Sequence, residues 1–134
     1  DLKKLAEEDR KITFLGKVSD DDLKSRLLAC DIFCFPSITK NEAFGIALAE
    51  AMAYGKPAVT FTIDGSGVNY VSLNGVTGIE VENRNIGQYA EAHRRLADDA
   101  SLRGEYGENA KRRVEALFTN EKFQENVRNL IDQL

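Results

Sequence analysis

The sequence predicts an α/β fold in which a mostly parallel sheet is flanked by helices. Three observations carry that expectation. Short apolar runs alternate with helix-patterned stretches along the chain, the order that strand–helix units produce. The run Ile32-Phe33-Cys34-Phe35 is continuously apolar and is ended by Pro36-Ser37, as in a strand covered on both faces. No internal repeat or low-complexity linker interrupts the series, and 134 residues suffice for one domain with a real core.

Each element has its own reason. Asp1 to Asp9 has the charged, leucine-spaced look of a helix end, and Ile12-Thr13-Phe14-Leu15-Gly16 is a β-type run closed by glycine. Ser19 is placed to cap a helix over Asp20 to Ala29, whose first turn is acidic. After the strand at 32–35, a helix is expected from about Glu42 to Tyr54, stopped by Gly55 and Pro57. Ala58 to Thr62 reads as the next strand. Gly65-Ser66-Gly67 then forms a turn before a short helical piece at Val68 to Val71, and Thr77 to Val81 reads as the last strand. From Ile86 the pattern is helical in three stretches, with breaks near Asp98-Asp99 and at Phe118-Thr119-Asn120. In parallel sheets ligands bind outside the carboxyl ends of the strands, so the loops to watch are Gly16–Ser19, Pro36–Glu42 and Ile63–Gly67.

Composition excludes several function classes. The chain is 43% hydrophobic and 30% charged, with a net charge of −4, which argues against nucleic acid as a partner. The longest apolar stretch, Phe44 to Ala49, is far short of a membrane span. No targeting segment is visible, and an opening at Asp1 in helix-like sequence leads to the expectation that residues precede it. Cys30 and Cys34 form a Cys-x3-Cys with no second pair, a poor zinc set. Both are expected as small buried hydrophobes, reduced as in a cytoplasmic protein, and His93 is expected to be solvated.

One pair of residues invites a chemical reading. The stretch from Glu42 to Tyr54 is apolar on almost every face, so its helix is expected to be buried, yet Glu50 lies in the middle of it. A carboxylate buried there needs partners, and the hydroxyls of a vicinal diol are suitable donors. Glu42 lies eight residues earlier, and eight residues of helix span roughly 12 Å. Between them, a helix N-terminus with Gly45 offers backbone N–H groups to a diphosphate. Taken alone, the pair more often means an acidic first-turn residue and a solvated helical strip.

It does not stand alone. Phe14-Leu15-Gly16-Lys17-Val18, Cys30 to Ser37, Glu42 to Glu50, Ala51-Met52-Ala53-Tyr54-Gly55-Lys56-Pro57 and Gly75-Val76-Thr77-Gly78 occur in order. Together they resemble the C-terminal domain of the glycosyltransferase group 1 family, enzymes of Rossmann-like GT-B architecture that transfer sugars with retention. Gly65 to Val71 looks like members that build surface or capsular polysaccharides. The resemblance runs from about Ile12 to Phe118. It assigns residues 1–134 to part of one nucleotide-sugar-binding domain, with a core at 12–118 and a C-terminal helix at 119–134.

The resemblance implies roles. Glu42 would hold hydroxyls of the donor sugar as the catalytic-site residue, better described as positioning and electrostatic than as a nucleophile. Glu50 would hold the ribose. The backbone of Phe44, Gly45 and Ile46 would face sugar and diphosphate, and Gly16, Lys17 and Val18 would line the base. No metal or other cofactor is implied; the nucleotide-diphosphate sugar is the donor substrate. The acceptor, a glycan or a lipid-linked glycan, would be held by an N-terminal domain, and the implied location is cytoplasmic, up to the inner face of a membrane. A non-catalytic nucleotide-sugar-binding or interaction module of the same fold is the alternative. A flavodoxin-like receiver would need an acidic phosphoacceptor after an early strand, where Gly16-Lys17-Val18 offers none.

The chain also departs from the family. The arginine and lysine that neutralise donor phosphates belong to a first strand–helix unit that has no match here; Lys17 and Lys40 are nearby cations at other positions. In a doubly wound order 3-2-1-4-5-6, the missing strands 1 and 2 would separate the run at Ile12 from that at Ile32. Exposed strand edges invite association, so the 134 residues alone are expected to be less stable than an intact domain or to self-associate. Light scattering behind a sizing column checks this. A monomer with one sharp two-state melt counts against it.

Overall fold

The computed structural model describes residues 2–6 and 9–133. A short helix α1 (Leu2–Ala6) is followed by α2 (Asp20–Ala29), and the first strand is β1 (Phe33–Phe35). Next come α3 (Ile46–Ala53), β2 (Ala58–Phe61), α4 (Val68–Val71) and β3 (Gly78–Val81). Three helices close the chain: α5 (Ile86–Asp98), α6 (Ala100–Leu117) and α7 (Asn120–Ile131). The sheet has the order β1-β2-β3 and is parallel throughout, with Cys34 opposite Val59 and Val59 opposite Ile79. This is the expected Rossmann-like arrangement, a parallel sheet with helices packed against it.

Local chemistry explains where the helices start. The Ser19 hydroxyl accepts from the Asp22 N–H at 3.2 Å and donates to the Asp22 carboxylate at 2.9 Å. Asn85, Asp99 and Thr119 cap α5, α6 and α7 in the same way, accepting from the N–H three residues on. Each such cap is worth about 1 kcal/mol.

The core lies around β2, all four of whose residues are buried. Leu48 and Met52 of α3 meet Val68 and Val71 of α4 and Ala110 and Val114 of α6, together with Phe35 and Phe61 of the sheet. A second cluster joins Val59 to Ala92 and Leu96 of α5 and Tyr106 of α6. Leu48, Met52 and Leu96 are fully buried, each contributing about 1.5–3 kcal/mol relative to exposure.

Several expectations need correction. Ile12 to Gly16 pairs with no strand among the described residues, and its apolar side chains are exposed, Ile12 by 51%. With no neighbour to take its N–H and C=O groups, a β-type sequence has no sheet to join. The run at 32–35 is not covered on both faces: β1 is an edge strand, and Cys34 is exposed while Phe35 is buried. Cys30 is half-buried rather than enclosed. His93 is half-buried and held, not solvated. Its Nδ1 lies 2.8 Å from the Tyr89 carbonyl oxygen, so Nδ1 carries the proton and Nε2 accepts from the Cys34 thiol at 2.8 Å. Burial pushes both thiols up from their ordinary value, against the lowering pull of Lys56 on Cys30 and with a smaller contribution from Cys30 at Cys34, which keeps them protonated at neutral pH. Of the expected helix end at 1–9, Asp1, Glu7 and Glu8 lie outside the described residues.

The helix expected from Glu42 begins only at Ile46. Gly45 adopts φ +91°, a left-handed conformation that interrupts helical backbone and favours glycine. The helix is not enclosed either, since Ile46 is 70% exposed and Glu50 is exposed.

α6 approaches the chain end of α3 through a glycine. A Cβ at Gly107 would lie 2.3 Å from the Gly55 carbonyl oxygen, a backbone atom that cannot swing aside. Gly107→Ala is expected to cost about 1–3 kcal/mol by overpacking, despite alanine's better helix propensity. Urea unfolding measures it, and an unchanged or raised midpoint would contradict the packing described.

Candidate functional site at the carboxyl ends of the strands

Three loops meet where the parallel strands end. They follow β1, β2 and β3, and the Asn83 side chain joins them, its Nδ2 donating to the carbonyls of Ile38 at 3.1 Å and Thr62 at 2.9 Å. The loop after β2 is set by Asn69, whose Oδ1 accepts from the Ile63 N–H at 2.8 Å and whose Nδ2 donates to the Phe61 carbonyl at 3.0 Å. That loop in turn holds the segment carrying Glu42. The Ser66 hydroxyl donates to the Glu42 carbonyl, and the Gly67 N–H donates to the Ala43 carbonyl at 2.7 Å. A Cβ at Gly67 would sit 2.7 Å from that same oxygen, so the approach needs glycine.

Glu42 itself is half-buried. Its carboxylate folds over the turn and accepts the Gly45 N–H at 3.0 Å. Phe44 leans edge-on against Phe118, ring centroids 5.4 Å apart, and Tyr70 meets the same ring at 6.0 Å. The Arg113 guanidinium lies over both Tyr70 and Phe118 while donating to the Tyr70 and Val71 carbonyls. Phe44, Gly45 and Ile46 are thus presented on a supported ledge, with Phe44 and Ile46 exposed and the first turn of α3 just beyond. Helix first turns leave N–H groups without intrahelical partners.

Glu50 lines two grooves at once. One, of about 340 Å³, is shared with Phe44, Ile46, Ala49, Ala53, Val114 and Phe118. The other, of about 300 Å³, is shared with Asp20, Leu23, Lys24, Leu27 and Tyr54. Glu42 and Glu50 are therefore not linked by eight residues of helix, as expected, but by a tight turn followed by a little over one helical turn. Gly16, Lys17 and Val18 line neither groove of Glu50; they precede α2, which does. Gly16 has φ +64° and is exposed.

A larger cavity, not foreseen from the sequence, lies among the loops after the three strands. It measures about 610 Å³ and is lined by Ile38, Lys40, Thr62, Ile63, Asp64, Glu82 and Asn83. Two of its loops were on watch; Glu82 and Asn83 were not. Their position directly after the last strand is the signal that could have found them. Among the described residues, no three His, Cys, Asp or Glu side chains gather as a metal site.

Residues 1–113 match the family described as glycosyl transferases group 1. The chain belongs to that family. It is 37% identical, over 82% of its length, to a D-rhamnosyltransferase of Pseudomonas aeruginosa, and 31% identical, over 81%, to an O-antigen chain mannosyltransferase of Escherichia coli. It spans 29% of each of those proteins. Among solved structures, the sucrose-phosphate synthase of Thermosynechococcus elongatus superposes with a TM-score of 0.86 at 26% identity, covering 98% of this chain and 33% of that one. The C-terminal domain of a group 1 family protein from Francisella tularensis shares the fold, with a TM-score of 0.75 over 89% of this chain and 60% of that one at 24% identity.

Asn83 ties the loops after β1 and β2 to its own. Asn83→Ala removes both donors and leaves two carbonyls to find other partners. The expected loss is about 1–3 kcal/mol, read from urea unfolding. An unchanged midpoint would show that the bridge between loops does not contribute.

Proposed function

We propose that this chain is the donor-binding part of a retaining glycosyltransferase. The whole enzyme transfers a sugar from a nucleotide-diphosphate sugar to a glycan or lipid-linked acceptor in surface or capsular polysaccharide biosynthesis. The observation that carries the reading is the ledge from Glu42 to Glu50. Two carboxylates flank a turn whose Phe44 is exposed and whose Gly45 is buried, followed by the first turn of α3, which suits hydroxyls at both ends and phosphates between them. The family membership and the relatives' names, a rhamnosyltransferase and a mannosyltransferase, support the same class.

Glu42 holds hydroxyls of the donor sugar in this reading, Glu50 the ribose, and the backbone of Phe44, Gly45 and Ile46 faces the diphosphate. The Gly45 N–H is occupied by the Glu42 carboxylate in the free chain. A phosphate oxygen taking that N–H releases the carboxylate for the sugar, so donor binding itself arms Glu42. Its role is electrostatic and positional, with the leaving phosphate assisting front-face attack. Gly16, Lys17 and Val18 line the base, which asks the segment before α2 to close toward the groove of Glu50. The reading calls for no metal. The acceptor is met chiefly by the enzyme's other domain, at the cytoplasmic side, in solution or at the membrane's inner face. The open edge of β1 makes the isolated chain self-associate.

A calorimetric screen of uridine, guanosine and adenosine diphosphate sugars against the complete protein tests this. Glu42→Ala and Glu50→Ala are each expected to weaken the best donor by about tenfold or more. If both variants bind that donor as tightly as the parent, the assignment of the pair is wrong.

A further inference from the structure

The cavity between the three loops is not part of the ledge that carries Glu42 and Glu50, and its chemistry differs. Ile38 and Lys40 come from the loop after β1, Thr62, Ile63 and Asp64 from that after β2, and Glu82 and Asn83 from that after β3. We propose that this cavity is a carbohydrate subsite that holds hydroxyls of the acceptor glycan.

Four observations lead there. The volume of about 610 Å³ falls within the range of small-ligand sites, and the position is where parallel sheets bind ligands. The lining is rich in polar groups that no other side chain engages. The Asp64 carboxylate, an acceptor, and the Lys40 ammonium, a donor, have no side-chain partner among the described residues, and Glu82 spends only Oε2, which accepts from Asn85 at 2.9 Å. Asn83 uses its amide nitrogen on Ile38 and Thr62, and its Oδ1 is buried with no hydrogen-bond partner among the described residues. An orphaned buried acceptor is costly, and a donor brought by a ligand relieves that cost after a small side-chain adjustment.

The lining also sets the ligand class. Two carboxylates and one ammonium leave the cavity net negative, which disfavours phosphate or another anion. No aromatic ring lines it, so a nucleobase finds nothing to stack on. Sugar hydroxyls suit the mixture, because each can donate to a carboxylate and accept from Lys40. Ile38 and Ile63 give apolar surface to the C–H faces of a ring. That the glycan belongs to the acceptor rests on the glycosyltransferase reading; that the cavity takes hydroxyl-rich carbohydrate does not.

Saturation-transfer NMR on the complete protein, with mannotriose as the probe, tests the site. Asp64 and Glu82 are both exposed, so the double variant Asp64→Asn/Glu82→Gln is expected to fold, which a thermal melt verifies; Lys40→Gln serves as the second variant should it not. Mannotriose is expected to bind and to weaken about tenfold in the charge-removed variant. Absence of mannotriose binding, equal binding in the cavity variants, or tighter binding of mannose 6-phosphate than of mannotriose each overturns the proposal. The donor reading is judged on a separate ligand. A protein that takes mannotriose here but no nucleotide-diphosphate sugar upholds the cavity and sinks that reading.

Discussion

β2 is the constraint on which the rest of the molecule depends. Its four residues are buried, and it pairs in parallel on both sides, with β1 through Phe33–Phe35 and with β3 through Gly78–Val81. Because the strands are parallel, all three deliver their following loops to one end. Val59 anchors α5 on one side, while Ala58 and Phe61 join the cluster that seats α3, α4 and α6. Shifting β2 by one register would turn buried side chains outward and would also separate the loops that Asn83 and Ser66 tie together.

At that shared end the chain uses backbone contacts where a loop might otherwise drift. Ser66, Gly67 and Asn83 all donate to carbonyl oxygens of neighbouring loops. Carbonyls are present at every residue, so such straps fix the path of the chain and leave side chains free to face a ligand. Glu42 is the exception. Its carboxylate is engaged with Gly45, and that engagement is what holds the left-handed turn before α3. A residue proposed to meet the ligand therefore also shapes the ledge in the ligand's absence.

Much of this was legible in advance. Ser19 and its acidic first turn, the apolar runs at 32–35 and 58–62, the Gly55–Pro57 stop and the breaks at 98–99 and 118–120 all follow from local rules, and the helices and strands fall there. What was not legible depends on contacts between distant segments. Gly45 looked like a small residue inside an apolar helix; only its φ of +91° shows it as the helix boundary. Continuous apolarity at Ile32 to Phe35 predicted cover on both faces, but a face is covered by the helices packed on it, and only the face bearing Phe33 and Phe35 joins the core cluster while Cys34 on the other is exposed. The hold of Cys34 on His93, 59 residues apart, has no local signature. The same is true of Asn83, whose composition suggests a turn and whose geometry makes it a bridge.

These surprises share a cause. The open edge of β1, the unpaired Ile12–Gly16 run and the exposed Phe123, Leu130 and Ile131 of α7 are apolar or hydrogen-bonding surfaces that water covers poorly. The edge of β1 leads directly into the loop bearing Ile38, Lys40 and Glu42. Whatever strand pairs with that edge fixes the start of this loop, and so acts on both the ledge and the cavity beyond it. Burial already keeps the Cys34 thiol on that strand neutral, so no charge is placed beside the edge there. The edge of β1 and the loop that carries Glu42 are thus joined through three residues of one strand.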